Sequence, residues 1–542
     1  MNHLQTSDYI VFFVYLIAVS AYGYYIYHKK KSSTISSKDF FLAEGSLTWW
    51  AIGASLIASN ISAEHFIGMS GSGFALGLAI ASYEWMAAAT LILVAIFIIP
   101  VYLKNKIFTM PQFLSKRYND KVSTVMAVFW LLVYVFVNLT SIIYLGALAI
   151  SSISNLSFEW CIFGLSIFSM VVTLGGMKVI GYTDVIQVIV LILGGLITTY
   201  LALSLLAQEY GFGQDIFKGL SVLRREAPEH FHMIFDSSHK YYKELPGISV
   251  LIGGMLINNL AYWGCNQYIV QRALGADLNT ARKGILFAAF LKLLIPVIAV
   301  LPGIVMYVLH HKGLFHAEMS DGAQLKPDHA YPTLMNLLPP GVKGIAFAAL
   351  TAAIVASLAG KANSISTIFS LDIYKKYFEK EASDKKMVRV GRWAVVISIT
   401  VAALVTPALR SLDQVYQFIQ EYVGFISPGV LAIFLLGFYW KRTSATAAMT
   451  GALLTIPIST VLKFLPVWTN GAFPDYPFLD RMTIDFVLIV LIMVLISLWK
   501  PEKEATQGGI EVDTSMFKVN MGFVIGSILI MGILTALYTV FW

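Results

Sequence analysis

Charge and cysteine are what this 542-residue chain has least of: Asp, Glu, Lys and Arg together make up 13% of it, and it has two cysteines. So few charges exclude a disordered or polar-coated chain, and two cysteines exclude a disulfide-stapled scaffold. Cys161 and Cys265 both fall within apolar runs, where they read as small core residues. Also missing are the gathered nucleophile, base and metal ligands of an enzyme site and the filter loops or rings of charge that mark a channel.

What is present is apolar. Hydrophobic residues make up 57% of the chain and the mean hydropathy is +0.72, more apolar surface than a water-soluble core can hide. The reading is an all-α polytopic protein of the lipid bilayer. The net charge of +7 does not point to nucleic acid, because the basic residues cluster in short loops beside hydrophobic runs. Windows long enough to cross about 30 Å of hydrocarbon lie near 9–28, 47–73, 77–103, 121–151, 158–176, 180–208, 246–269, 281–310, 343–374, 389–409, 414–440, 443–465, 480–499 and 517–541. The first is followed by His28, Lys29, Lys30 and Lys31 with no small-residue cleavage site, which reads as a retained leading helix. Fourteen spans put both termini on one side. About 25 Lys and Arg fall on one set of loops against about 11 on the other, so the termini are expected outside the cell.

The most informative stretch is ASNISAEHFIGMSGSGFALGLAIASY, 58–83, running into Glu84. Its polar residues interrupt an apolar helix, and a break in hydrocarbon survives only where protein or a water-filled cavity satisfies the backbone. A second polar-interrupted helix, LINNLAYWGCNQ, opens the second half of the chain. Two blocks of five helices, 47–208 and 246–440, are therefore expected as an inverted repeat with a substrate site at their interface. One helix at 9–28 precedes them and three at 443–542 follow, all within one transport domain spanning 1–542. Two longer connections, 209–245 and 311–340, read as irregular external loops. Lys292 and Lys361 lie within expected spans, and an intramembrane charge is a functional suspect by default.

Eight ordered strings, among them SLIASNISAEHFIGMSGSG (55–73), ASYEWM (81–86), NLAYWGCNQYIVQR (259–272), FAAFLKLLIPV (287–297) and QFIQEYVGFISPG (417–429), resemble the sodium:solute symporter family over nearly the whole chain. The likeness is strongest to its bacterial sodium/galactose and sodium/glucose members. That resemblance implies a leucine-transporter type fold and alternating access, with no enzymatic activity. It also implies sodium-coupled uptake of a neutral hexose, glucose or galactose, at a bacterial inner membrane. A symporter for inositol or sialic acid, or a proton-coupled or sodium-independent sugar carrier, is the alternative.

The resemblance makes His65, Glu84, Asn259, Lys292 and Gln420 hydrogen-bonding groups around the sugar. Their mix of donors and acceptors suits hydroxyls, which do both. It makes Tyr262 the inner gate and Met69, Tyr83 and Tyr416 the outer lid, and Tyr262 and Trp263 could cover the ring's apolar face. Residues alone leave open a structural Glu84–Lys292 ion pair, and plain packing for Tyr83 and Tyr416. Where the galactose-transporting pattern has Gln, this chain has His65.

By the same resemblance, sodium would be held by carbonyls of Ala58, Ile61, Ala353 and Ala356 and by Ser357, with Asp184 close by. The family often has Ser at both 356 and 357, so Ala356 removes one hard oxygen ligand. Lys361, one helical turn after Ser357, has two readings. It snorkels to cytoplasmic water, the reading favoured here, or it pairs with Asp184 and stands in for a cation.

Overall fold

The computed structural model describes residues 4–29, 47–154, 156–174, 177–321, 324–411, 415–501 and 510–542. Of the expected basic loops, 30–38 and 502–509 lie outside the described residues. Helix occupies all fourteen windows, and among the described residues eleven helical segments are long and apolar enough to cross a membrane. The other three windows have physical reasons for falling short. Phe158–Thr173 is a single short helix, whereas 47–73 and 246–269 are discontinuous.

Both breaks come where polar side chains compete with the backbone ladder. Trp49–Asn60 ends at Ile61, whose backbone is extended (φ −76°, ψ 122°), and the chain resumes at Glu64–Met69 as a π-type turn. The hydroxyl of Ser62 accepts the Glu64 amide at 3.2 Å across the gap. In the second half, Gly254–Cys265 ends at extended Asn266 (φ −105°, ψ 123°) before Gln267–Leu274. Tyr134, from a neighbouring helix, closes this gap by donating to Asn266 Oδ1 and accepting from the Gln267 amide at 3.1 Å. A third interruption, Gly424–Ile426, separates Val415–Val423 from Ser427–Tyr439.

The half-helix Trp49–Asn60 packs against Leu278–Lys292, Met177–Glu209 and Val342–Thr367, while Gly254–Cys265 packs against Ser427–Tyr439 and Ser82–Leu93. The broken elements thus sit inside the bundle. The long connections are more ordered than their composition suggests. The first contains helix Ile216–Glu226, capped by Asp215, and the second contains Ala330–Asn336 and a two-residue strand pair, Ser320–Asp321 with Gln324–Leu325. The amides of Met233 and Ile234 donate to the carbonyls of Phe541 and Trp542, and Asp8 Oδ1 accepts from the amides of Gly341 and Gly344. Both chain ends therefore lie on the face that carries the long connections.

Candidate functional site

The two helix breaks face one cavity, lined by residues from both halves of the chain. His65, Glu84, Asn259, Lys292 and Gln420 all line it, from five separate stretches of chain. Glu84 is the hub: its Oε1 meets His65 Nε2 at 3.2 Å and its Oε2 meets Lys292 Nζ at 2.5 Å. Lys292 also donates to Asn60 Oδ1 and lies 5.1 Å from the centre of the Trp263 ring. From Asn60 the network runs to the Tyr262 hydroxyl at 2.8 Å and on to Tyr268. Gln420 donates to the Tyr416 hydroxyl at 3.1 Å, and the Asn259 amide nitrogen donates to Met255 O at 3.1 Å.

Tyr262, Tyr83 and Tyr416 line the same cavity, with the Tyr83 and Tyr416 rings edge to face at 5.7 Å. Met69 is fully buried and does not line it. Asn60 and Glu64, both in the polar string 58–65, also line the cavity, a placement that local polarity alone does not assign. Ser141 donates to Glu64 at 2.6 Å.

The residues expected to hold sodium come together where Trp49–Asn60 meets Val342–Thr367. A helix end frees carbonyls from intrahelical pairing. Here Ile57 O takes the Ile61 amide at 2.8 Å and Ser59 O takes the Ser357 hydroxyl at 2.9 Å. Ala58, Ile61, Ala353, Ala356 and Ser357 are all buried.

Two expectations about the neighbouring charges are corrected. Lys361 does not snorkel: it is 1% exposed, its Nζ donates to Ser357 Oγ at 3.2 Å, and it lines the central cavity. Nor does it pair with Asp184, because Arg272 takes that place. Arg272 stands 3.8 Å from Asp184 Oδ2 and donates through Nε to Ser55 O and Ser55 Oγ, while Ser55 Oγ donates to Asp184 Oδ2 at 2.5 Å. Arg272 falls between the hydrophobic windows 246–269 and 281–310. It is 1% exposed and joins Lys292 and Lys361 as an interior cation.

A membrane bundle with two helices broken around one polar cavity, each polar group drawn from a different helix, is built as a secondary transporter. The sequence profile of the sodium:solute symporter family matches residues 40–455, and the chain belongs to that family. It is 46% identical over 547 residues to the sodium/glucose cotransporter of Vibrio parahaemolyticus, covering 99% of each chain. It is 33% identical to the Homo sapiens sodium/myo-inositol cotransporter 2, covering 87% of this chain and 72% of that one. The solved outward-open, substrate-bound structure of a Na+-coupled sialic acid symporter superposes with a TM-score of 0.77 at 21% identity, over 92% of this chain and 99% of that one. The fold is of the leucine-transporter type, and the protein is a multi-pass membrane transporter, not an enzyme.

Proposed function

We propose that this protein carries a neutral hexose, glucose or galactose, into the cell together with sodium by alternating access. The observation that carries the reading is Glu84, which ties His65 and Lys292 together on the wall of a cavity that Asn259 and Gln420 also line. Hydroxyl-rich rings need donors and acceptors in alternation, and a site built from them rejects analogues that leave its polar atoms unpaired. Lys292 is neutralised by Glu84, which favours an uncharged solute over an acid. The relative named for glucose supports a hexose. The relative named for myo-inositol makes a cyclic polyol the competing substrate.

In this reading Tyr262 is the inner gate and Tyr83 and Tyr416 form the outer lid, while Met69, which does not line the cavity, is left out of it. Sodium, as cargo, binds among the carbonyls of Ala58, Ile61, Ala353 and Ala356 and the hydroxyl of Ser357, which are hard oxygen ligands. Asp184 stands nearby as the partner of Arg272, so its charge is already compensated. The repeats 47–208 and 246–440 rock against each other, the termini face outward, and the membrane is a bacterial inner membrane. Moving one charge through 100 mV is worth about 2.3 kcal/mol, enough for a sugar gradient of roughly fiftyfold.

The test is uptake of labelled glucose, galactose and inositol into proteoliposomes with sodium, potassium and proton gradients imposed separately. Hexose accumulation driven by sodium is expected. Accumulation of neither hexose under any gradient, accumulation of inositol alone, or accumulation driven by protons overturns the reading.

A further inference from the structure

Ser357 supplies the one side-chain hydroxyl among the expected sodium ligands, and its hydrogen-bonding capacity is largely spent. Its proton goes to Ser59 O at 2.9 Å, and one of its lone pairs takes the Lys361 ammonium at 3.2 Å. A hydroxyl has one proton to give and two lone pairs, so the ammonium takes one of the two acceptor positions at the oxygen a metal ion would bind. Lys361 is held there by more than this bond. Its Nζ lies 5.2 Å from the centre of the Tyr268 ring. Among the described residues no carboxylate lies within ion-pair distance of Lys361. Asp184, the acid expected to serve a cation here, faces Arg272 instead, whose Nη2 has no hydrogen-bond partner among the described residues. Arg272 reaches this depth because Gly360 has no side chain: a Cβ there would run into the guanidinium.

We propose that the Lys361 ammonium is a tethered competitor of the transported sodium. It occupies the ion site through Ser357, and sodium binds only after Lys361 has swung off Ser357 into the central cavity that it already lines. Two positive charges at hydrogen-bond separation repel each other strongly in a buried site, so the two occupancies exclude one another. This inference rests on the ion-site part of the proposed function. It adds that sodium affinity is set by the fraction of molecules in which Lys361 has left.

The test measures sodium-22 binding to the detergent-purified protein and, separately, sodium-dependent sugar uptake in proteoliposomes. Wild type is compared with Lys361→Met, Lys361→Gln and Lys361→Arg. Removing the charge is expected to lower the half-saturating sodium concentration by about tenfold, the effect of freeing a site that is competent about one-tenth of the time, while Lys361→Arg stays near wild type. Sodium affinities of the Met and Gln variants equal to wild type overturn the proposal. Wild-type uptake that ignores sodium but becomes sodium-stimulated in Lys361→Met is the same competition taken to completion. It upholds the proposal and removes sodium coupling of the native protein. Shifted sodium binding without hexose uptake removes the hexose reading alone. Should both uncharged variants fail to fold, acylation of Lys361 in the wild type, mapped by mass spectrometry, decides: a rise on adding sodium supports the displacement, and no change overturns it.

Discussion

Glu84 and Lys292, 208 positions apart in the chain, meet with 2.5 Å between carboxylate and ammonium, and neither side chain is more than 5% exposed. Truncating one partner leaves the other charge buried and unpaired, which costs about 3–5 kcal/mol. Glu84→Ala should therefore lower the melting temperature in detergent more than Glu84→Ala combined with Lys292→Met. A double variant as unstable as the sum of the two singles would show that the groups are not coupled.

Sugar affinity offers a second reading of the same wall. Asn259→Ala and Gln420→Ala each remove one neutral hydrogen bond, about 0.5–1.5 kcal/mol, so hexose should bind roughly two- to tenfold more weakly, with Glu84→Ala worse than either. Equilibrium binding of labelled hexose checks this. Unchanged affinity in both Glu84→Ala and Asn259→Ala would be incompatible with the proposed sugar site.

Tyr262 accepts from Asn60 at 2.8 Å and pairs with Tyr268. As an inner gate it should matter more to retention than to binding. Tyr262→Ala should speed efflux of preloaded sugar and lower steady-state accumulation, and Tyr262→Phe, which keeps the ring, should do so less. Efflux rates identical to wild type in Tyr262→Ala would make the residue packing only.

Gly68 lies against Tyr416, and a Cβ added at Gly68 would stand 2.7 Å from Tyr416 Cβ. Tyr416 cannot yield at its own Cβ without moving its helix, so overpacking of about 1–3 kcal/mol is expected. Gly68→Ala should lower stability and also the maximal uptake rate, because the displaced ring is the one that meets Tyr83. A variant with wild-type melting and uptake would remove the close approach from the account.

His230 lies on the connection after Glu209, outside the spans, with its Nε2 donating to Phe74 O at 3.0 Å and its ring over Tyr307. Burial draws its imidazole below the ordinary histidine range, only partly offset by that hydrogen bond. A depressed value means the folded protein prefers the neutral ring. Its stabilising contribution is therefore full above about pH 6.5, the unfolded value, and is lost as pH falls through the lower folded value. Melting temperature should drop between pH 7 and pH 5, and His230→Gln should drop less over that interval.

Hydropathy, composition and local polarity are properties of short stretches, so the membrane class, the helix windows and the two interrupted helices could be read from the residues alone. The strings around His65, Glu84, Asn259, Lys292 and Gln420 mark a family, and the structure gathers the five side chains on one cavity. Which charges pair was beyond that reading. Val342–Thr367 is apolar nearly all round and carries little amphipathic signal, so nothing local says which way Lys361 turns, and the polar face of Gln267–Leu274, wholly buried here, does not say which acid Arg272 meets. Only the packing of Gln267–Leu274 against Trp49–Asn60 brings Arg272 to Asp184 and leaves Lys361 on Ser357, because buried charges take the partner that geometry puts within reach rather than the one nearest in sequence.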